Sequence, residues 1–264
     1  MSYEAEYGRS LTDPESFWRE KAEALPWFRF PNTILDQDEN GVWRWFHGGR
    51  LNTAWLALDR HVAEGRGEQT ALIYDSPVTG QIQRYSYAEL TEWVARVAGG
   101  LSALGVSKGD RVVIYMPMVP EAAVAMLACA RLGAIHSVVF GGFAAPELAT
   151  RIDDARPKVV LAASCGIEFD NVIPYKPLLD GAIERAAHAP DHVVLLQREQ
   201  SPADLGASDY LDWHEWETAA KPTGWVELDA TDPLYILYTS GTTGKPKGVL
   251  RDNGGHAVAL HYSM

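Results

Sequence analysis

Apolar positions along the chain follow two rhythms that take turns. Leu90, Val94, Val97, Leu101 and Leu104 step by four, three, four and three, which is one face of a helix. That helix is predicted to start at about Ser86, whose hydroxyl can cap it with Glu89 three residues on, and to end at Gly105. Beyond it, short continuous runs alternate with longer periodic ones. Val112–Met116 reads as a buried strand. Glu121–Leu132 is so uniformly apolar that it must be an enclosed helix, stopped by Gly133. Ile135–Phe140 is the next strand, and Pro146–Ala155 the next helix, with Leu148 and Ile152 inward. Lys158–Ala163 is a strand, roughly Pro177–Ala187 a helix, and His192–Gln197 a strand. Strands alternating with helices predict an α/β fold, a largely parallel sheet flanked by helices and joined by right-handed crossovers.

Upstream the pattern differs. Residues 1 to 65 form an aromatic-rich extension carrying Trp18, Trp27, Phe28, Phe30, Trp43, Trp45, Phe46 and Trp55. Thr12 or Asp13 before Pro14 and Glu15 signals a helix start, and Asp38–Gly41 a turn after Ile34–Leu35. Taken alone, this extension reads either as a lid or as a packing segment. Ala71–Tyr74 and Gln83–Tyr87, flanking Asp75–Gly80, predict a β-hairpin. Residues 66–264 would then be a second unit. Within it, Ser201–Pro222 is turn-rich and acidic and is expected to be a surface connection. No repeat or low-complexity tract occurs.

The chemistry concentrates near the end. The apolar run Leu234–Tyr238, read as a buried strand, gives way to ten residues, Thr239–Gly248, that hold four hydroxyls, three glycines and two lysines. Such a loop offers backbone N–H groups without side-chain bulk. Glycines let the main chain close around a tetrahedral anion, hydroxyls add donors and the lysines add charge, as a polyphosphate requires. The same residue types also crowd ordinary turns. A Walker A loop is excluded, because that pattern needs Gly-Lys starting five residues after its first glycine, and the residue five after Gly241 is Pro246. Gly105-Val106-Ser107-Lys108-Gly109 spells a hydrolase nucleophile elbow but lies between a helix and a strand, the reverse of what an elbow needs. Ser107 is read as a turn residue.

Composition narrows the partners. The 264 residues carry 23 basic and 35 acidic side chains, a net charge of -12, which argues against a nucleic acid or an anionic membrane. Cys129 and Cys165 belong to no paired or zinc-spaced cluster and read as buried thiols of a reducing compartment. The eight histidines lack ligand spacing, so His136 is expected in the core and no protein-built metal site is proposed. The start of the chain has no signal-peptide core, and the longest apolar run, Ala122–Ala130, is too short to span a bilayer. A cytoplasmic protein is expected.

Tyr238-Thr239-Ser240-Gly241-Thr242-Thr243-Gly244-Lys245-Pro246-Lys247-Gly248 resembles, at every position, the phosphate-loop signature of the acyl-adenylate-forming (AMP-binding) superfamily of acyl-CoA synthetases, luciferases and peptide-synthetase adenylation domains. Arg251-Asp252-Asn253-Gly254-Gly255 is more similar to the propionyl-CoA synthetase branch than to the acetyl-CoA one. Tyr7, Pro14, Phe17-Trp18 and Asn52 resemble the N-terminal extension of both. The resemblance implies a short-chain acyl-CoA synthetase, an acid–thiol ligase that uses ATP, Mg²⁺ and coenzyme A to activate a small carboxylate, propionate or acetate. It implies that Thr239, Ser240, Gly241, Thr242, Thr243, Gly244, Lys245, Lys247 and Gly248 hold the ATP phosphates, with Lys245 and Lys247 neutralising charge. It implies further that Phe140, Gly141 and Gly142 touch the nucleotide of coenzyme A; a plain strand-to-helix turn fits the same three residues. Where the family places two arginines for the coenzyme A phosphates, this chain has Glu168 and Asn171.

The resemblance covers less than half of a family member. The adenine stretch, the acyl pocket, the ribose-binding aspartate, the hinge and the catalytic lysine would lie beyond Met264, and the chain stops in what reads as the helix after the phosphate loop. A polypeptide of these 264 residues is therefore expected to have little or no ligase activity. The competing readings are an acetate-specific enzyme, and a non-enzymatic truncated product that keeps a residual phosphate site and has apolar strand edges prone to association.

Overall fold

The computed structural model describes residues 2–206, 209–239 and 246–264, and in it the alternating rhythm becomes a sheet. The chain opens with α1 (Tyr3–Thr12), a helix the apolar pattern does not signal, and α2 (Pro14–Glu23). Asp13 caps α2, its side chain accepting from the Ser16 N–H at 3.3 Å, with Pro14 in the first turn. A hairpin follows, β1 (Thr33–Gln37) and β2 (Trp43–His47), its turn fixed by Asp38 accepting from the Asn40 and Val42 amides. β3 (Arg50–Leu51) and a π-helical turn over Trp55–Asp59 lead to α3 (Arg60–Ala63). The second hairpin, β4 (Thr70–Ser76) and β5 (Gln81–Ser86), runs directly into α4 (Tyr87–Ala103), where Ser86 and Glu89 close the expected reciprocal cap.

The rest of the chain builds the sheet: β6 (Arg111–Met116), α5 (Pro120–Leu132), β7 (Ile135–Phe140), α6 (Ala145–Ala155) and β8 (Val159–Ala163). A small hairpin, β9 (Cys165–Glu168) and β10 (Asn171–Pro174), precedes α7 (Lys176–Arg185) and β11 (His192–Leu196). Then come β12 (Leu211–Asp212), α8 (Trp213–Ala219), β13 (Leu228–Asp229), β14 (Pro233–Thr239), β15 (Lys247–Asp252) and α9 (Asn253–Ser263). The seven-stranded sheet has the order β12-β11-β8-β6-β7-β14-β15, parallel throughout except for β15, which runs antiparallel to β14. Gly133 ends α5 at a φ of +71°, a conformation that costs glycine nothing.

The sheet's central strands are enclosed on both faces by α4, α5, α6, α7 and α8, which form one large apolar core. The extension has a second, smaller core in which Ala22, Ile34, Phe46 and Leu51 meet Ala230 and Val258 from the far end of the chain. Asn52, fully buried, ties the start of the chain to its later part: its side-chain N–H groups donate to the carbonyls of Ala130, Arg131 and Val226 at 3.0, 3.2 and 2.8 Å. The extension therefore packs against the rest of the chain through paired polar groups as well as aromatic rings.

Three expectations need correction. Ser201–Pro222 is more than a surface connection, because Trp213 is fully buried in the main core and β12 extends the sheet. Two tryptophans three residues apart give a short helix one apolar side, and His214 and Glu215 between them are exposed. Second, Leu234–Tyr238 is not a buried strand. Leu234 is buried, but Leu237 is 52% exposed, since alternate residues of β14 point to opposite faces and β14 has only the edge strand β15 beyond it. Third, β15 separates the phosphate-loop segment from the following helix, so the signature joins two antiparallel strands. Ser107 is a turn residue as read, its amide and hydroxyl both bonded to Asp110 at 2.9 Å.

Candidate functional site

Because the sheet is parallel, the carboxyl ends of β6, β7, β8, β11 and β14 lie along one edge, where open α/β sheets hold ligands. Both groups of residues singled out in the sequence belong to that edge. Thr239 is the last residue of β14, and Lys247, the first of β15, lies opposite it in register. Tyr238 pairs in the same way with Gly248. Ser240, Gly241, Thr242, Thr243, Gly244 and Lys245 lie outside the described residues. The hairpin neck that carries them is described: Thr239 and Lys247 are exposed, and Pro246 is half-buried.

Gly248 is glycine for a reason visible across the strand pair. A Cβ there would come within 3.1 Å of Ile236 Cγ2 and 3.3 Å of Tyr238 Cε1, so the Tyr238 ring uses the space a side chain would need. Tyr238 is in turn held from below. Its hydroxyl donates to Asp154 Oδ2 at 2.6 Å, and the Arg151 guanidinium sits 5.6 Å from its ring centroid. Burial, followed by the bond to the Asp154 carboxylate, pushes the Tyr238 phenol far above its ordinary pKa, so the hydroxyl remains a donor.

Phe140 closes β7 with its ring 66% exposed, and Gly142 turns the chain at a φ of +91°. Gly141 has a packing explanation, since a Cβ there would meet the Tyr175 hydroxyl at 2.5 Å. Phe140 packs on Phe143, with ring centroids 5.7 Å apart, and Arg151 lies 4.8 Å over the Phe143 ring. A continuous path, Phe140 to Phe143 to Arg151 to Tyr238, thus connects the two predicted ligand segments. Arg151 itself is buried and bonded to its own helix, donating to the Glu147 carbonyl at 2.6 Å and to Glu147 Oε2 at 3.0 Å.

The sequence reading missed Arg151 and Asp154, although a signal existed. With Leu148 and Ile152 inward on α6, helical spacing carries Arg151 to the inner face, where a cation needs partners. Glu168 and Asn171 face one another across the tight β9–β10 turn, whose tip, Phe169, is 91% exposed and takes a φ of +53°. Glu168 Oε1 comes within 3.2 Å of a Cβ built on Gly142, so the hairpin adjoins the Phe140–Gly142 turn and brings negative charge there.

His136 is buried in β7 as expected, its ring centroid 5.6 Å from that of Tyr235 with the planes tilted by 34°, and burial lowers its ring pKa to about 4. Cys129 and Cys165 are both buried. Among the described residues, no group of three His, Cys, Asp or Glu side chains could hold a metal ion, and no helix is long and apolar enough to cross a membrane.

Residues 59–264 match the sequence model of the AMP-binding enzyme family, and residues 3–57 match that of the acetyl-coenzyme A synthetase N-terminus. The chain is 48% identical over 263 residues to mitochondrial acyl-CoA synthetase short-chain family member 3 of Bos taurus, covering 99% of this chain and 38% of that protein. To the propionate–CoA ligase of Escherichia coli it is 45% identical over 268 residues, covering 100% of this chain and 42% of the ligase. Among solved structures, acetoacetyl-CoA synthetase from Streptomyces lividans superposes with a TM-score of 0.87 at 27% identity, over 99% of this chain and 40% of that one. The chain therefore spans about two fifths of the length of the relatives it matches.

Proposed function

The chain belongs to the AMP-binding enzyme family, and on that premise we propose that it forms the phosphate-gripping part of a short-chain acyl-CoA synthetase whose acid is propionate. The observation that carries this reading is the hairpin neck at the carboxyl edge of the sheet. Thr239 and Lys247 stand opposite one another there, and the chain between them is the signature Ser240–Pro246. The similarity to a propionate–CoA ligase, together with Arg251-Asp252-Asn253, favours propionate over acetate.

The reaction needs two displacements. A carboxylate oxygen bonds to the α-phosphorus of ATP as the bond to pyrophosphate breaks; the coenzyme A thiol then attacks the acyl carbon, loses its proton, and AMP leaves. The residues of this chain act on the first step. Thr239, Ser240, Thr242 and Thr243 donate to phosphate oxygens, and Lys245 and Lys247 balance the charge that builds on the leaving pyrophosphate, which is electrostatic catalysis. Magnesium would arrive with the nucleotide. Phe140 offers a ring face to the nucleotide of coenzyme A at the neighbouring turn. A polypeptide of these 264 residues, two fifths of its relatives' length, is expected to complete little or no acyl transfer.

Titrating the chain with inorganic pyrophosphate and with MgATP by calorimetry tests the phosphate reading. Binding that is lost in Lys245→Ala and Lys247→Ala supports it. A correctly folded chain that binds neither ligand defeats it. Propionate is tested separately, in a protein that contains this chain and forms the acyl adenylate, by comparing kcat/KM for propionate and acetate.

A further inference from the structure

β14 is tied to the parallel sheet at one position, where Tyr235 lies in register with His136. Beyond it, among the described residues, Ile236–Thr239 pair with β15 and not with β7, so the end of β14 runs to the ligand edge without a second ladder. Side chains replace that ladder. Ile236 packs on the main core, and Tyr238 reaches α6, where the Asp154 carboxylate accepts its hydroxyl at 2.6 Å and Arg151 lies against its ring. Arg151 is itself clamped, by Glu147 on one side and by the Phe143 ring on the other. Gly248, across from Tyr238, leaves room for the ring, since a Cβ there would meet Tyr238 Cε1 at 3.3 Å and Asp154 Oδ2 at 3.5 Å.

We propose that Asp154 and Arg151 are positioning residues that fix the phosphate-loop hairpin against α6 through Tyr238, and that anion affinity depends on this strap. Neither residue needs to touch the ligand. A charge-assisted bond to a carboxylate is among the stronger single contacts, and a sub-ångström drift of the neck would misplace every donor in the loop at once. Because Arg151 also contacts Phe143, the strap links the phosphate neck to the turn after β7. This inference rests on the proposed phosphate site and goes beyond it by naming what holds that site in place.

The test is pyrophosphate titration of the unchanged 264-residue chain, Tyr238→Phe, Asp154→Ala, Asp154→Asn and the double variant Tyr238→Phe/Asp154→Ala. Tyr238→Phe and Asp154→Ala are each expected to weaken binding about tenfold, and the double variant no further, because both remove one bond. Asp154→Asn, which keeps an acceptor oxygen, should bind within about twofold of the unchanged chain. Amide exchange at Gly248–Leu250 in the free protein should quicken in the two weakened variants, which reads the strap even where folding is intact. Unchanged affinity and exchange in Tyr238→Phe and Asp154→Ala overturn the inference and leave the phosphate site standing. Losses that multiply in the double variant overturn it as well. If the unchanged chain binds no pyrophosphate, the phosphate reading falls and this inference falls with it.

Discussion

Arg131 and Asp59 meet in a two-pronged ion pair, Nη1 to Oδ2 at 2.7 Å and Nη2 to Oδ1 at 2.9 Å, beneath the junction of the extension and the sheet. The Arg131 side chain is 6% exposed and that of Asp59 19%, and Arg131 Nε also donates to the Thr223 carbonyl at 2.9 Å. Removing the acid leaves a buried cation with one carbonyl. Asp59→Ala is expected to lower stability by about 3 kcal/mol, read as a fall in the urea midpoint. A loss below about 0.5 kcal/mol would show that water reaches the guanidinium.

His136 should make stability depend on pH. Burial, and to a lesser degree the charge of the nearby His256, hold its ring pKa near 4, below the ordinary value of 6.5. The unfolded chain then binds the proton first, so stability is present above pH 6.5 and is lost as pH falls toward 4, by about 3 kcal/mol in all at 1.36 kcal/mol per unit. His136→Gln should flatten this part of the profile. Denaturant titrations of both proteins from pH 7 to 4 measure the difference, which vanishes if the ring is hydrated.

Two half-buried carboxyls act in the opposite sense. Desolvation raises the carboxyls of Glu121 and Asp252, so their contribution is lost as pH rises through the folded pKa. Glu121→Gln is expected to raise the thermal midpoint at pH 7, with the gain shrinking as the medium becomes acidic enough to protonate the carboxyl. An unchanged midpoint at both ends would mean the carboxylate is solvated.

Gly248→Val would force methyl groups into the Tyr238 and Ile236 contacts. A stability loss of about 1–3 kcal/mol follows from overpacking of this kind, and pyrophosphate affinity should fall with it, because the same ring anchors the neck. Parallel thermal melts and titrations check both, and retained affinity with lowered stability would separate the two roles.

Charge at the β9–β10 turn makes a different prediction. Glu168 beside Gly142 repels a phosphate brought to the turn after β7. Glu168→Arg should therefore tighten binding of coenzyme A by severalfold while changing dephospho-coenzyme A little. Equal effects on the two ligands would place the phosphate elsewhere.

Much of the architecture could be read before any coordinates, for identifiable reasons. The step of Leu90, Val94, Val97 and Leu101 demands one buried face, and Glu121–Leu132 admits no exposed one; α4 and α5 obey. The reading failed where few residues decide. Trp213, with Trp216 partly buried beside it, carries a short acidic helix into the core, and composition averaged over Ser201–Pro222 hides it. In β14 the run of apolar letters concealed a period of two, since Leu234 faces inward and Leu237 does not. The signature Tyr238–Gly248 was legible as a string, and the described part of it, Tyr238, Thr239 and Pro246–Gly248, forms a hairpin neck. Its support from Arg151 and Asp154, more than eighty residues earlier, could be found only by asking which way each α6 residue points.

Synthesis runs in one direction, and the small aromatic core does not. Ala22, Ile34, Phe46 and Leu51 leave the ribosome early, while Ala230 and Val258, which complete their packing, leave much later. Asn52 likewise waits 174 residues for the Val226 carbonyl. Until those residues are made, the aromatic side chains of the extension have no finished surface to settle on, so this core closes only after Val226, Ala230 and Val258 have been synthesised.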